Sequence, residues 1–319
     1  MLCLTLGNAF LILLRFCTGQ SNVLSDEFIN SINEAQSSWT AAKVWPENTT
    51  DEFFDTLSGA VDPELYMHEY KNQMDHSPQF RYDDQRPKEF DARKKWPQCT
   101  RIGKARNQGK CGSCWAVAVA ATASDRLCIA AEGMFNQDCS AEDILTCCES
   151  SCFVNATKRC EGGRVDKAWD FVIQHGTVTG GEYKSGEGCK PYSSETYDKG
   201  KPSACQPKCP NKKYLIPYPA DKKRVLSTIS FTNRDLRKIQ LEIMENGPVV
   251  AHMRVFEDFY LYGRGVYMNL MGRLRRNYHA VKIIGWGQED GRDYWLGVNS
   301  WGEKWGLKGL FKLLRGSNE

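Results

Sequence analysis

The sequence predicts an α+β fold with two lobes, the first largely helical and the second built mainly of strands. An alanine-rich run at residues 116–123 has strong helix-forming composition, and residues 164–174 form a second, amphipathic helical pattern. Further along the chain, runs of strand-forming residues indicate strands at 249–255, 279–284, 294–298 and 309–314. This change from helix to strand divides the body into a first lobe at about 87–215 and a second at about 216–319.

The N-terminal 86 residues differ in character from the rest of the chain. Residues 1–19 contain an apolar block followed by small residues, which resembles a secretory signal peptide and is too short to span a bilayer. Residues 1–86 hold 13 Asp/Glu and 5 Lys/Arg, whereas residues 87–319 hold 26 and 37, so the net charges are −8 and +11. We expect a signal peptide at 1–19, a removable acidic pro-segment at 20–86 and a functional domain at 87–319. An independent acidic linker is the alternative.

The composition excludes several classes of protein. An aromatic content of 11% and a net charge of +3 exclude a disordered chain. The basic residues of the body are scattered along the sequence, so we expect no nucleic-acid partner, and no run after residue 19 is apolar enough for a membrane span. The 14 cysteines favour an oxidising compartment, and acceptor sequons at Asn48 and Asn155 fit the secretory pathway, leading to a lysosome or the extracellular space.

Residues 108–123 carry the clearest chemical signal. A loop of glycine, serine and cysteine leads into the alanine-rich helix, so Cys114 stands at a helix N-terminus, where unpaired amides and the macrodipole stabilise a thiolate. Among the histidines of the body, His279 begins a predicted strand, whereas His175 lies at a helix end and is expected to be structural. Asn299 follows the strand at 294–298 and can orient an imidazole. Together these residues form the constellation for acyl transfer to a thiolate.

These motifs resemble those of the papain family of cysteine peptidases, and further segments resemble its cathepsin B branch. The resemblance runs from about residue 24 to residue 316 and implies a papain-like fold, with a helical left lobe, a β-barrel-like right lobe and the site in the interlobe cleft. The segments that carry it are Gln108, Cys111-Gly-Ser-Cys114-Trp, His279-Ala, Asn299-Ser-Trp, Ser140-Ala-Glu-Asp-Ile-Leu-Thr-Cys147-Cys148, Cys160-Glu-Gly-Gly163, Gly188-Cys-Lys-Pro-Tyr192, Gly247-Pro-Val and Leu24-Ser-Asp-Glu-Phe-Ile-Asn with Trp39 beyond it.

The resemblance implies a role for each site residue. Cys114 is expected to be the nucleophile and His279 its ion-pair partner and general acid/base, with Asn299 orienting the imidazole. Gln108 and the Cys114 amide are expected to form the oxyanion hole. Trp301 is expected to shield the hydrogen bond between histidine and asparagine. Residues expected along the substrate are Gly162, Gly163, Val165, His252, Tyr278, Ala280 and Trp301.

The resemblance also implies partners. These are protein or peptide substrates, the chain's own pro-segment as an intramolecular inhibitor, and cystatin-like inhibitors. No cofactor and no metal are expected.

The remaining cysteines are expected to cross-link the fold. Cys139 is left over and is expected to be a buried free thiol, with an intermolecular partner as the alternative. Cys111 and Cys114 alone could be a redox pair, but tryptophan follows the second cysteine instead of preceding the first. The histidines are too widely spaced for a zinc site. By resemblance the disulfides are Cys99–Cys128, Cys111–Cys160, Cys147–Cys205, Cys148–Cys152 and Cys189–Cys209.

Several features depart from the branch. Residues 190–204 are short and lack histidine, where cathepsin B has a longer loop with paired histidines that hold a substrate's C-terminal carboxylate. Removal of C-terminal dipeptides is therefore in doubt, and endopeptidase action is expected. His252 is expected in the pocket for the residue before the scissile one, beside Val165 and Ala280. It is either cationic in acid, selecting polar or acidic side chains, or neutral and satisfied by a neighbour. Tyr278 stands where this branch usually has glycine.

The C-terminal end also departs from the branch, which continues with another strand beyond Arg315-Gly316, so the last strand is expected to be truncated. Two functions follow. The first is a cathepsin B-like endopeptidase, made as a zymogen, that acts through a thiolate–imidazolium pair and an acyl-enzyme. The second is a catalytically compromised binding or regulatory homologue. The complete catalytic set favours the enzyme, and the short C-terminus favours the homologue.

Overall fold

The structure is a computed structural model that describes residues 23–36, 38–66, 86–232, 235–275 and 278–317. The predicted signal peptide lies outside the described residues, as do residues 67–85 of the predicted pro-segment. Within the described ranges, no helix is both long and apolar enough to cross a membrane. Residues 23–66 are called the N-terminal segment below.

The described helices concentrate in the first lobe, around the one that begins at Cys114. That helix, α4, is buried on nearly all sides because its alanines let neighbouring elements approach closely, and α5 and α6 pack against it. The predicted second helix begins at Val165, with Arg164 as its N-cap. The helices are α1 (Asp26–Ala35), α2 (Asp51–Asp55), α3 (Ala92–Lys95), α4 (Cys114–Ala130), α5 (Ala141–Cys147), α6 (Val165–Gln174), α7 (Ser194–Tyr197) and α8 (Leu236–Asn246).

The second lobe is built on a sheet of seven strands in the order β1-β4-β7-β6-β5-β2, with β3 also paired to β5. All pairs are antiparallel except β4 with β7. The predicted strands are present, but β3 ends earlier and β5 runs further than the sequence indicates. The strands are β1 (Trp39–Ala41), β2 (Phe90–Asp91), β3 (Val249–Met253), β4 (Tyr262–Tyr267), β5 (His279–Glu289), β6 (Arg292–Val298) and β7 (Leu310–Leu314).

The two-lobed α+β architecture is confirmed, but the sheet does not close into a barrel. Strands β1 and β2 lie at opposite ends of the path and are not paired with each other among the described residues. One edge, that of β4, is covered by β1 from the N-terminal segment, and β2 and β3 share the free edge of β5. Coverage by short strands satisfies the edge backbone groups without closure.

The N-terminal segment packs into the core of the second lobe. Trp39 lies 5.1 Å from the Tyr267 ring, and Phe54 stacks on Tyr260 at 4.5 Å, in each case between ring centroids. The Trp45 indole donates to the Tyr260 carbonyl at 2.8 Å. Burial of such large rings makes this contact a continuation of the hydrophobic core.

The disulfides lie in the first lobe, and all five pairings implied by the resemblance are present. Cys139 is a buried free thiol, and burial raises its pKa to about 12. The pairs are Cys99–Cys128, Cys111–Cys160, Cys147–Cys205, Cys148–Cys152 and Cys189–Cys209.

Candidate active site

Cys114 is the first residue of α4 and is completely buried. The loop before it is held by the Cys111–Cys160 disulfide and by the Gly112 amide, which donates to the Cys160 carbonyl at 2.9 Å. Burial raises the pKa of the Cys114 thiol to about 11, although backbone amides, that of Ala280 among them, oppose the shift. In this state of the molecule the sulfur is therefore a thiol.

His279 and Asn299 lie close together because β5 and β6 are antiparallel neighbours. His279 begins β5, and Asn299 directly follows the end of β6. The distance from His279 Nε2 to Asn299 Oδ1 is 2.7 Å. The Ser300 amide also donates to Asn299 Oδ1 at 2.7 Å, which identifies that atom as an acceptor. The neutral imidazole therefore carries its proton on Nε2, and Nδ1 is the basic nitrogen.

The imidazole is held in an apolar environment. The Trp301 ring lies 4.9 Å from the His279 ring, and both side chains are buried. Burial lowers the pKa of His279 to about 4, although the Asn299 hydrogen bond opposes the shift. With the N-terminal segment in place, both Cys114 and His279 are thus uncharged near neutral pH.

Gln108 is fixed by a residue that sequence reasoning did not single out. Its Nε2 donates to the Cys111 carbonyl at 2.8 Å, and its Oε1 accepts from Ser300 Oγ at 2.7 Å. The Gln108 amide also donates to the Ser300 carbonyl at 2.9 Å. Ser300 lies between Asn299 and Trp301 in the sequence, and this position between two predicted site residues was the one sequence feature that could have indicated its role. The residue therefore links the asparagine and glutamine sides of the site.

The N-terminal segment crosses directly over these residues. The Gly59 amide donates to Cys114 Sγ at 3.2 Å, and its carbonyl accepts from the Gly163 amide at 2.8 Å. On either side, Ala60 N donates to the Tyr278 carbonyl at 2.8 Å and Val61 N to the Gly163 carbonyl at 3.0 Å. The segment is therefore bound as an added strand between two edges of the cleft.

Two glycines form the cleft edge, and Gly162 leaves room for this strand while Gly163 packs against the first lobe. A Cβ on Gly162, whose φ is +123°, would lie 2.7 Å from the Gly59 carbonyl oxygen, and a Cβ on Gly163 would meet the Trp115 ring at 2.4 Å. Neither position accepts a side chain without movement of its neighbours.

The predicted specificity pocket is assembled beside this strand. Val165 and Ala280 are buried in one apolar cluster with Ala60, and His252 pairs with Ala280 between β3 and β5. His252 Nε2 lies 3.1 Å from the hydroxyl oxygen of Tyr66, and burial lowers the pKa of this histidine to about 4. The structure thus places His252 as a neutral ring with a hydrogen-bonding neighbour.

Other predicted site residues lie at the cleft rim or on the surface. The hydroxyl of Tyr278 accepts from Arg254 Nε at 3.1 Å, while its backbone faces the cleft. Asn48 is exposed and Asn155 is half-buried. In the part of the chain that the structure describes, no group of His, Cys, Asp and Glu could hold a metal ion.

Comparisons with known proteins agree with this geometry. The family described as "Papain family cysteine protease" matches residues 86–319. Cathepsin B-like cysteine proteinase 4 of Caenorhabditis elegans is 44% identical over 251 residues, covering 74% of this chain and 73% of that protein. Cathepsin B-like cysteine proteinase 5 of the same organism is 40% identical over 310 residues, covering 91% and 86%.

A solved structure extends the likeness to the N-terminal segment. Procathepsin B S9 from Trypanosoma congolense superposes with a TM-score of 0.74 at 30% identity, covering 93% of this chain and 94% of that one. The family match, the curated relatives and the solved structure therefore agree with one another. The chain belongs to the papain family of cysteine peptidases, in its cathepsin B-like branch.

Proposed function

We propose that this chain is a cathepsin B-like cysteine endopeptidase made as a zymogen, with Cys114 as nucleophile and residues 20–86 as its inhibitory pro-segment. The observation that carries the proposal is the strand at 59–61, which is hydrogen-bonded to both edges of the cleft and contacts Cys114 Sγ. A segment bound there excludes any other peptide from the nucleophile.

The bound segment is positioned as an inhibitor and not as a substrate. The peptide bond nearest the sulfur joins Ser58 to Gly59, since the Gly59 amide is the group that donates to Sγ. The Gln108 side-chain amide is directed to the carbonyls of Cys111, Leu57 and Thr56 instead of that of Ser58. The peptide bond at the nucleophile therefore lacks the donor that would stabilise its oxyanion.

Removal of the segment would activate the pair. Burial is the largest cause of both pKa shifts, upward for Cys114 and downward for His279. Exposure of the cleft to water would lower the pKa of Cys114 and raise that of His279, and the attraction between thiolate and imidazolium would then favour transfer of the proton from sulfur to His279 Nδ1. The helix N-terminus at Cys114 favours the resulting thiolate.

The reaction then follows from the positions of these groups. Cys114 Sγ attacks the substrate carbonyl carbon, and the Gln108 side-chain amide and the Cys114 backbone amide donate to the developing oxyanion. His279 gives its proton to the leaving amine as the C–N bond breaks, which leaves a thioester. The histidine then removes a proton from water, whose oxygen attacks the thioester carbon. The C–S bond breaks, the carboxylic acid product leaves, and the thiolate–imidazolium pair is restored.

Endopeptidase action is favoured by the loop at 190–204. This loop contains no histidine, and it is tied to the first lobe through Glu142, whose Oε1 accepts from Ser193 Oγ and Thr196 Oγ1, each at 2.9 Å. It therefore offers no imidazole for a substrate's C-terminal carboxylate. We also propose that residues 1–19 direct the chain into the secretory pathway, leading to a lysosome or the extracellular space, since five disulfides suit an oxidising compartment. The proposed substrates are proteins or peptides.

The test is labelling of the processed protein with a peptidyl epoxide at about pH 5.5, followed by peptide mapping. We expect label on Cys114 and none in a His279→Ala variant, together with cleavage of internally quenched peptides. Peptides with amidated and free C-termini should be cleaved at similar rates. A folded, processed protein without label at Cys114 would contradict the proposal and leave a binding homologue as the function.

A further inference from the structure

We propose that Tyr66 is a built-in occupant of the specificity pocket and that, through His252, this pocket selects a tyrosine side chain over phenylalanine in substrates. The inference rests on the proposed function, because it names the substrate class of the same cleft. The side chain in question belongs to the substrate residue that precedes the scissile residue.

Tyr66 contacts the cleft again, five residues after the strand at 59–61. Residues 63–65 form a single 3-10 turn capped by Asp62, whose Oδ1 accepts from the Glu64 amide at 2.9 Å. Tyr66 follows this turn and is only 5% exposed. A tyrosine on an otherwise exposed turn is buried here because the cleft receives it.

The contacts of the Tyr66 side chain with the body include one with His252 and one with Arg164. The hydroxyl lies 3.1 Å from His252 Nε2, and the two ring planes meet at 63° with centroids 6.4 Å apart. The Arg164 guanidinium lies over the ring face, 4.4 Å from its centroid. The phenol is therefore recognised both as an aromatic ring and through its hydroxyl.

These contacts belong to a preformed wall. Arg164 is the N-cap of α6 and is held by Asp166, with Nη2 to Oδ2 at 2.7 Å and Nε to Oδ1 at 3.1 Å. His252 is fixed in β3 opposite Ala280 of β5. Removal of the N-terminal segment would leave the arginine and the histidine in place with the same spacing. A substrate side chain of the same chemistry can then take the position of Tyr66.

The charge state of the wall decides between the two alternatives for His252. With Tyr66 in place, burial lowers the pKa of His252 to about 4, and a substrate tyrosine in the same position would keep the ring buried and neutral, so that Nε2 accepts from the phenol. Arg164 is already paired with Asp166. An acidic side chain would face the Asp166 carboxylate, whose charge acts on His252, whereas phenylalanine would leave Nε2 without the phenol hydroxyl.

The test compares peptidyl coumarylamides that differ only in having tyrosine, phenylalanine or glutamate before the scissile arginine. With the processed enzyme we expect kcat/KM for tyrosine to exceed that for phenylalanine about fivefold to tenfold, the effect of one net hydrogen bond. Glutamate should be poorer than both. In a His252→Ala variant, the ratio of tyrosine to phenylalanine should fall to about one.

The matched control is His252→Gln, whose amide can still hydrogen-bond the phenol and should retain part of the preference. Epoxide labelling of Cys114 in each variant shows that the site is folded. Equal rates for tyrosine and phenylalanine in the wild-type enzyme, or an unchanged ratio in His252→Ala, would overturn this inference alone. Failure of the folded wild-type protein to cleave any of the peptides would overturn the proposed function, and this inference with it.

Discussion

The closest approach of the N-terminal segment to the active site occurs at Gly59, and replacement of this glycine is the sharpest test of zymogen inhibition. A Cβ at Gly59 would lie 2.0 Å from the carbonyl oxygen of Gly112, 2.5 Å from its carbon and 2.7 Å from its Cα. All three are backbone atoms, in the loop that the Cys111–Cys160 disulfide fixes. The loop cannot yield easily, so Gly59→Ala must displace the strand.

The energetic cost follows from the hydrogen bonds that the displaced strand loses. These are Gly59 N to Cys114 Sγ at 3.2 Å, Gly163 N to the Gly59 carbonyl at 2.8 Å and Ala60 N to the Tyr278 carbonyl at 2.8 Å. At about 0.5–1.5 kcal/mol each, the loss of these three hydrogen bonds weakens the closed state by about 1.5–4.5 kcal/mol. The population of molecules with an open cleft should therefore rise roughly 10-fold to 2,000-fold.

The assay is the rate at which a peptidyl epoxide labels Cys114 in the intact, unprocessed chain, with mass spectrometry to show that no processing has occurred. Gly59→Ala should raise this rate by the same factor, up to the rate of the processed enzyme. Glu47→Ala is the control, because its side chain is 89% exposed and far from the strand in sequence. A Gly59→Ala zymogen that is labelled as slowly as the wild type would refute the steric argument.

Three further predictions concern the site and its support. Ser300→Ala should lower kcat about tenfold with KM unchanged, because Gln108 loses the 2.7 Å hydrogen bond that orients its amide; an unchanged kcat would exclude this role. Lys282→Met should reduce the free energy of unfolding by about 3–5 kcal/mol in a denaturant titration, because it leaves the buried Asp125 carboxylate, 2.5 Å from Lys282 Nζ, unpaired. The double variant with Asp125→Leu should recover most of that loss. In the intact zymogen, iodoacetamide should modify Cys114 very slowly at pH 8, because a pKa of about 11 leaves about a thousandth of the thiol ionised. The rate of modification should rise with pH and after processing. Rapid modification at pH 8 would show that burial does not control the ionisation of this thiol.

The residues that we propose for the reaction could be located in the sequence because the proposed chemistry restricts the choice of residue type. A thiolate nucleophile needs a cysteine at a helix N-terminus, and its partner needs an imidazole oriented by an amide, so Cys114, His279 and Asn299 stood out at their positions. The helix after Cys114 and the strand after His279 followed from alanine content and from β-branched residues. Local sequence therefore identified the parts of the site that local structure builds.

The residues that sequence reasoning missed act through contacts with residues that lie far away along the chain. Ser300 orients Gln108 across 192 positions, and Tyr66 meets His252 across 186. A serine or a tyrosine has no residue pattern of its own that marks such a partner. The role of Gly59 likewise depends on the position of the Gly112 backbone, which the sequence of either segment alone does not reveal.

The opposite net charges of the two parts of the chain favour attachment by complementary charge, but among the described residues the N-terminal segment is attached mainly by packing. Asp55 does pair with Arg275 at 2.9 Å, but the aspartate side chain is 64% exposed, and an exposed pair contributes little to stability. Trp39 and Phe54, by contrast, are almost completely buried among aromatic residues of the second lobe. Each such ring contributes more than an exposed ion pair, because burial removes a large apolar area from water. Acidification alone should therefore loosen the segment only weakly, and we expect cleavage of the segment to be the step that exposes Cys114.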